Sequence, residues 1–71
     1  MKKDFFKIKS SRQIPGSNTK MIHETEDGRT IVGPPSLRAS VGGKVFAEIT
    51  DHPDQYGHYH IITIIDILKP D

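Results

Sequence analysis

The 71-residue sequence contains no cysteine. This absence excludes disulfide bonds and thiolate metal sites, two devices that often stabilise chains of this length. A single small domain spanning residues 1–71 buries only about 60% of its unfolded surface, so it needs a further source of stability. Oligomerisation, a histidine metal site and unusually good packing are the options left, and we expect oligomerisation.

Long apolar runs are also missing. The most apolar stretch, residues 61–68, contains Thr63 and Asp66 and is far shorter than the roughly 20 residues of a membrane-spanning helix. Asp4 and Lys7 interrupt the apolar region that a secretory signal would require. The sequence therefore predicts a cytoplasmic protein without a membrane segment.

The motifs of the common enzyme classes are absent too. The sequence has no nucleophile elbow, no phosphate-binding glycine-rich loop that opens a helix, and no pair of carboxylates whose spacing fixes both in one site. The Gly42-Gly43 pair is typical of a turn between strands. We expect a protein that is not an enzyme and that uses no cofactor.

The charges present are unevenly distributed, although the formal net charge is only +1. Residues 1–20 contain six basic residues against one acidic residue, and residues 21–71 contain four against eight. The first segment therefore has a net charge of +5 and the second a net charge of −4. A basic end attracts phosphates, and it is equally compatible with a solubilising terminus.

Alternation of polar and apolar residues dominates the chain, and no window has a sustained helical period. This pattern predicts an all-β protein of five strands, for which a small OB-like barrel is the simplest architecture. We expect the strands at residues 5–10, 20–25, 29–33, 44–50 and 58–68. Pro35 is well placed to begin one short helical turn between the third and fourth strands.

The second and third strands flank Asp27-Gly28, a pair favoured in two-residue hairpin turns in which both central residues have positive φ. A turn of this type would set His23 opposite Val32.

The last predicted strand carries isoleucines on both faces. Strict alternation assigns Ile61 and Ile65 to one face and Ile62 and Ile64 to the other. Two covered faces are expected where a strand bends across a barrel or where a second subunit packs on it. We expect self-association through this strand, with Ile62, Ile64 and Leu68 at the interface.

His58 and His60 share one side of this strand at a backbone separation of roughly 6.5–7 Å. His52, Asp51 or Asp54 from the preceding loop would complete a zinc or nickel site. Hydrogen-bonded or solvated histidines are more frequent in such pairs, so we expect no metal site.

Basic residues of the first strand and its turn, together with two aromatic residues, form the main candidate for ligand binding. The set consists of Lys7, Lys9, Arg12, Lys20, Phe46 and Tyr56. Lysines neutralise phosphates, and aromatic rings stack on bases with little sequence preference. The plainer interpretation is that the lysines are solvated and that a barrel or subunit contact covers Phe46.

These residues predict a non-catalytic protein that binds single-stranded nucleic acid, either RNA or DNA. The alternative comes from a different class. It is a protein-interaction or assembly subunit, such as a small phage or accessory protein, that oligomerises through its last strand.

The order of short motifs resembles a known family. Asn18-Thr19 is followed after seven residues by Asp27-Gly28, and Val41-Gly42-Gly43-Lys44-Val45 follows an apolar strand. This order is similar to the S1-type OB-fold of bacterial translation initiation factor one. The resemblance implies an OB barrel that binds RNA.

A second group of segments resembles the ring-forming tryptophan-responsive RNA-binding attenuation protein. These segments are residues 4–9, 16–20 and 43–52. That resemblance also implies RNA, and its ring assembly would account for the apolar last strand.

Overall fold

The structure, a computed structural model, describes residues 1–69. The elements are β1 (Lys2–Gln13), β2 (Met21–Thr25), β3 (Thr30–Gly33), a 3-10 helix (Pro35–Ser40), β4 (Lys44–Ile49) and β5 (His58–Leu68). The prediction of an all-β chain with five strands, and with one helical turn between the third and fourth, is confirmed. No helix in this described part of the chain is long and apolar enough to cross a membrane.

The five strands close in a ring. Neighbours pair in the order β1-β2-β3-β5-β4, and β4 returns to pair with β1. The pairing of β3 with β5 is parallel, and the other four pairings are antiparallel. Each strand therefore has one face inside the ring and one face outside it.

The core lies inside the ring. Val45, Ala47 and Ile49 alternate along β4 and are completely buried, as their spacing in the sequence predicts. Leu37 adds the 3-10 helix to this core and is also completely buried. The whole cluster consists of Phe6, Ile8, Ile31, Leu37, Val45, Ala47 and Ile49. Full burial of the Phe, Ile, Leu and Val side chains contributes about 1.5–3 kcal/mol each.

β1 extends beyond residues 5–10 because it pairs with two strands in succession. Its first half pairs with β4 and its second half with β2. A bulge at Lys9 interrupts the second half, just after its first pair, Ile8 with Thr25. Bulges bend a strand and shift its alternation by one residue, which is why Ser11 rather than Ser10 lies on the inner side.

The turn between β2 and β3 has three residues instead of the predicted two. The N–H of Thr25 donates to the carbonyl of Arg29 over 2.8 Å. Gly28 has a φ of 90°, and no residue other than glycine has a positive φ within residues 1–69. Asp27 therefore does not adopt the left-handed conformation that a two-residue turn requires. A three-residue loop needs that conformation at one position only, which Gly28 fills.

This extra turn residue shifts the register, so that His23 lies opposite Ile31 and not opposite Val32. His23 is completely buried. Its Nε2 lies 3.0 Å from the Pro34 carbonyl and its Nδ1 lies 2.7 Å from the Ser11 hydroxyl. Since a carbonyl oxygen only accepts, Nε2 carries the proton and Nδ1 accepts from Ser11. Burial lowers the pKa of His23, so the core contains a neutral imidazole.

β5 bends around the ring through two bulges, which explains its isoleucines on both faces. Its register against β4 shifts twice, and Ile62 and Ile65 are the extra residues. Tyr59, Ile61 and Ile64 pack against the core, while Ile62 and Ile65 are exposed. The strict alternation expected for this strand is wrong because each bulge reverses the faces of the residues that follow it.

Candidate nucleic-acid interface

Two adjacent cross-strand pairs on the outer face of β1 and β4 define the candidate site. Phe5 lies opposite Phe46, and Lys7 lies opposite Lys44. Because side chains alternate along a strand, all four point away from the buried side chains of the same two strands. We call these four residues the β1–β4 patch.

The aromatic pair of the patch is stacked. The ring centroids of Phe5 and Phe46 are 4.3 Å apart, and the rings are inclined by 21°. Phe5 is 54% exposed, whereas Phe46 is half-buried. The exposed ring surface therefore belongs to Phe5, and Phe46 supports it from one side. Sequence reasoning selected Phe46 and missed Phe5, although Phe5 alternates in phase with Lys7.

The lysine pair of the patch has like charges in directly opposed positions. Such pairs destabilise a sheet, and neither Lys7 nor Lys44 has an ion-pair partner in the described residues 1–69. The Nζ of Lys44 lies 5.7 Å from the centroid of Phe5, within the range of a cation–π contact. Positive charge thus stands beside the exposed ring.

An open groove of about 320 Å³ adjoins the patch and is bordered by the tip of the β2–β3 hairpin. The hairpin tip contributes Asp27, whose carboxylate is held by Arg29 over 3.0 Å. Hydrogen bonds from Arg29 and from Thr25 lower the pKa of Asp27 to about 2. Arg29 also bonds Asp4 on β1 over 2.5 Å, so it neutralises the carboxylates of Asp27 and Asp4. Glu26 is the acidic residue of the groove outside this network.

The predicted cations do not form one patch. Lys9 lies at the bulge of β1, and its Nζ is 3.7 Å from Glu24. Arg12 lies farther along β1, beyond the bulge, and Lys20 immediately precedes β2. Of the four predicted cations, Lys7 is the one in the β1–β4 patch. Lys44, which sequence reasoning did not select, takes the second position.

Tyr56 lies in the loop between β4 and β5 and is 74% exposed. Its N–H donates to Oδ1 of Asp54 over 2.8 Å, and the N–H of His58 donates to the same oxygen. The other carboxylate oxygen lies 2.6 Å from Nε2 of His60. The hydrogen bond from His60, followed by that from the His58 backbone, lowers the pKa of Asp54 to about 2. Asp54 therefore organises the loop that carries Tyr56.

The two histidines considered as metal ligands have hydrogen-bond partners. Nδ1 of His58 lies 2.7 Å from the Thr30 hydroxyl, and His60 bonds Asp54. Among residues 1–69, no three His, Cys, Asp or Glu side chains are grouped so that they could hold a metal ion. Hydrogen bonding accounts for the positions of both imidazoles.

The predicted interface residues of β5 have different surroundings. Ile62 and Leu68 are exposed by 45% and 52%, respectively. Ile64 packs against the core of its own chain. Ile65, which was not in the predicted set, is the other exposed bulge residue.

Comparisons of the chain with protein-family models, with curated proteins and with solved structures find no match. The function is therefore inferred from the chemistry of these surfaces.

Proposed function

We propose that the protein is a non-catalytic, OB-type protein that binds single-stranded nucleic acid through the β1–β4 patch. An OB-fold is a five-stranded, partly open Greek-key barrel that binds oligonucleotides on the face of its second and third strands and on the loops after its first and fourth strands. The β1–β4 patch is a different surface of such a barrel. Three features support this assignment: the strand order β1-β2-β3-β5-β4, the closure of β4 onto β1, and the helical turn between β3 and β4.

The observation that carries the proposal is the exposed Phe5 ring beside Lys7 and Lys44, which have no ion-pair partner among residues 1–69. A base that stacks on an aromatic ring contributes about 1–3 kcal/mol, with little sequence preference. Lysines that neutralise phosphates release counterions, which adds affinity that falls with salt. The patch supplies both contributions within two adjacent cross-strand pairs.

The patch favours single strands over duplexes. In a duplex the faces of the bases are covered by their neighbours in the stack, so a ring on a sheet surface has no base face to contact. Single strands expose those faces together with their phosphates. If only the lysines bound the nucleic acid, they would bind a duplex as well, through charge. The affinity would then depend strongly on salt and little on whether the nucleic acid is single- or double-stranded.

The test is fluorescence anisotropy of labelled single-stranded RNA, single-stranded DNA and duplex, each titrated with the protein at two salt concentrations. The proposal predicts binding to single strands that weakens with salt, and weaker binding to the duplex. The proposal is contradicted if neither single-stranded RNA nor single-stranded DNA binds at low salt.

A second candidate function is that of an assembly subunit that self-associates through β5. The observation that favours it is the exposure of Ile62, Ile65 and Leu68 on one strand. Exposed apolar residues on a strand are a hazard for aggregation unless a partner covers them.

Light scattering coupled to size-exclusion chromatography distinguishes this second candidate. It predicts an oligomer that dissociates in Ile62→Asp and persists in Thr63→Asp, which adds the same charge at the adjacent exposed position. A monomeric wild-type protein contradicts it. Substitution of Ile64 is unsuitable here, because that side chain packs in the core of its own chain.

A further inference from the structure

A second basic surface lies at the C-terminal end of β1. There, a cleft of about 160 Å³ separates the loop between β1 and β2 from the 3-10 helix. Lys20 lines the cleft from the loop side, and Arg38 lines it from the helix side. Neither residue belongs to the β1–β4 patch.

The charges of this cleft are not balanced. No carboxylate lines it, and both Lys20 and Arg38 are exposed and without an ion-pair partner in the part of the chain that the structure describes. Two other cations, Lys9 and Arg29, are by contrast paired with carboxylates. Two cations that face one small cleft without a counter-charge raise its positive potential, which an anion relieves.

Neutral polar groups surround the same cleft. Gln13, Ser17 and Asn18 line it together with the two cations. Nε2 of Gln13 donates to the Ser17 carbonyl over 3.2 Å, and the Ser17 N–H donates to the Ile14 carbonyl over 3.0 Å. These bonds tie the loop to the end of β1, so the cleft has a defined wall. The Ser17 hydroxyl and the Asn18 amide add hydrogen-bond donors.

The chemistry of the lining selects one kind of anion. The guanidinium fork of an arginine matches two oxygens of a phosphate, and a lysine adds a point charge. Met21 and Pro35 supply an apolar portion of the lining, which suits the carbon atoms of an attached sugar. We propose that this cleft binds one phosphate group.

The phosphate has two possible sources. It is either a free phosphate anion or one phosphodiester of a strand whose bases reach the β1–β4 patch, and the second source rests on the proposed function. Lys7 and Gln13 are six residues apart on β1, about 20 Å along an extended strand, with Arg12 between them. A strand of several nucleotides would follow β1 from one site to the other, in keeping with the length of OB-fold sites.

The first arm of the test uses inorganic phosphate. Isotope-labelled protein is titrated with phosphate at constant ionic strength, against chloride, and followed by amide chemical shifts. We expect saturable shifts at Ser17, Asn18 and Arg38. These shifts should disappear in the double variant Lys20→Gln/Arg38→Gln and persist in Lys3→Gln/Lys69→Gln, which removes the same charge elsewhere.

The second arm measures the affinity for a single-stranded oligonucleotide without terminal phosphates. If a phosphodiester occupies the cleft, Lys20→Gln/Arg38→Gln lowers the affinity about tenfold and reduces the salt slope by about 0.7, the value for one phosphate on a single strand. If phosphate causes the shifts but the double variant binds the oligonucleotide as the wild type does, the ligand of the cleft is a free phosphate anion.

The proposal is overturned if phosphate causes no saturable shift and the double variant binds oligonucleotide as the wild type does. If the wild-type protein binds no oligonucleotide, the proposed function is refuted instead. The phosphate titration then shows by itself whether the cleft binds phosphate.

Discussion

The pairing of β1 with β4 sets Lys7 directly opposite Lys44, and neither lysine forms an ion pair within residues 1–69. The adjacent cross-strand pair stacks Phe46 beneath a largely exposed Phe5. In the free protein, opposed like charges and an exposed ring are both unfavourable. Bound phosphates and bases would relieve both, so removal of one of the two opposed lysine charges should change stability and binding in opposite directions.

Lys44→Gln is the first variant that tests whether stability and binding change in opposite directions. Removal of one of two opposed charges should leave stability unchanged or raise it by about 0.2–1 kcal/mol at low salt. The same change should weaken oligonucleotide binding and reduce its salt slope by about 0.7. Thermal unfolding and anisotropy measure the two effects. Lys2→Gln removes an equal charge at the opposite end of the pairing of β1 with β4, and equal losses of affinity in both variants would refute a specific role for Lys44.

Phe5→Leu tests the aromatic contact. Leucine keeps an apolar side chain but has no ring face, so binding to single strands should weaken by about 1–3 kcal/mol. Loss of the stack on Phe46 should also cost about 0.5–1.5 kcal/mol of stability. Phe5→Tyr keeps the ring and serves as the control, with binding close to that of the wild type. If both variants bind equally well, no base stacks on this ring.

Alternation along the chain was sufficient to identify the inner residues of β4. β4 pairs with β1 without a shift, so Val45, Ala47 and Ile49 follow the period of two throughout. The same rule was wrong for β5 because Ile62 and Ile65 are inserted as bulges. Neither bulge has a sequence signal of its own within residues 61–65, since isoleucine and threonine are good strand formers on either face.

Only part of the candidate site could be predicted from the sequence. The sequence indicates the face on which Lys7 and Phe46 lie, but it contains no direct information on which strands are neighbours. Only the pairing of β1 with β4 brings Phe5 next to Phe46 and Lys44 next to Lys7. The ion pair of Lys9 with Glu24 likewise depends on the pairing of β1 with β2.

His23 should make stability depend on pH. Burial lowers its pKa in the folded protein, while the unfolded value is about 6.5. As the pH falls below about 6.5, the unfolded chain takes up a proton before the folded one does, so stability decreases. Denaturant unfolding from pH 7.5 to pH 5 measures this loss. His23→Gln, although less stable at pH 7.5, should have a flatter profile, and parallel profiles would contradict this role.

Asp54→Ala should loosen the loop between β4 and β5. The substitution removes the acceptor of the Tyr56 and His58 N–H groups and the partner of His60. Amide hydrogen exchange of Tyr56 and His58 should accelerate, while exchange in the buried strand β4 stays unchanged. Asp51→Ala, in the same loop, is the matched control. Unchanged exchange at Tyr56 in Asp54→Ala would show that the carboxylate does not organise this loop.

The most direct test of the binding surface is a map of chemical shifts in isotope-labelled protein titrated with a short single-stranded oligonucleotide. The account predicts the largest changes at Phe5, Lys7, Lys44 and Phe46 on the outer face of β1 and β4. No changes, or changes confined to the exposed residues of β5, would contradict it.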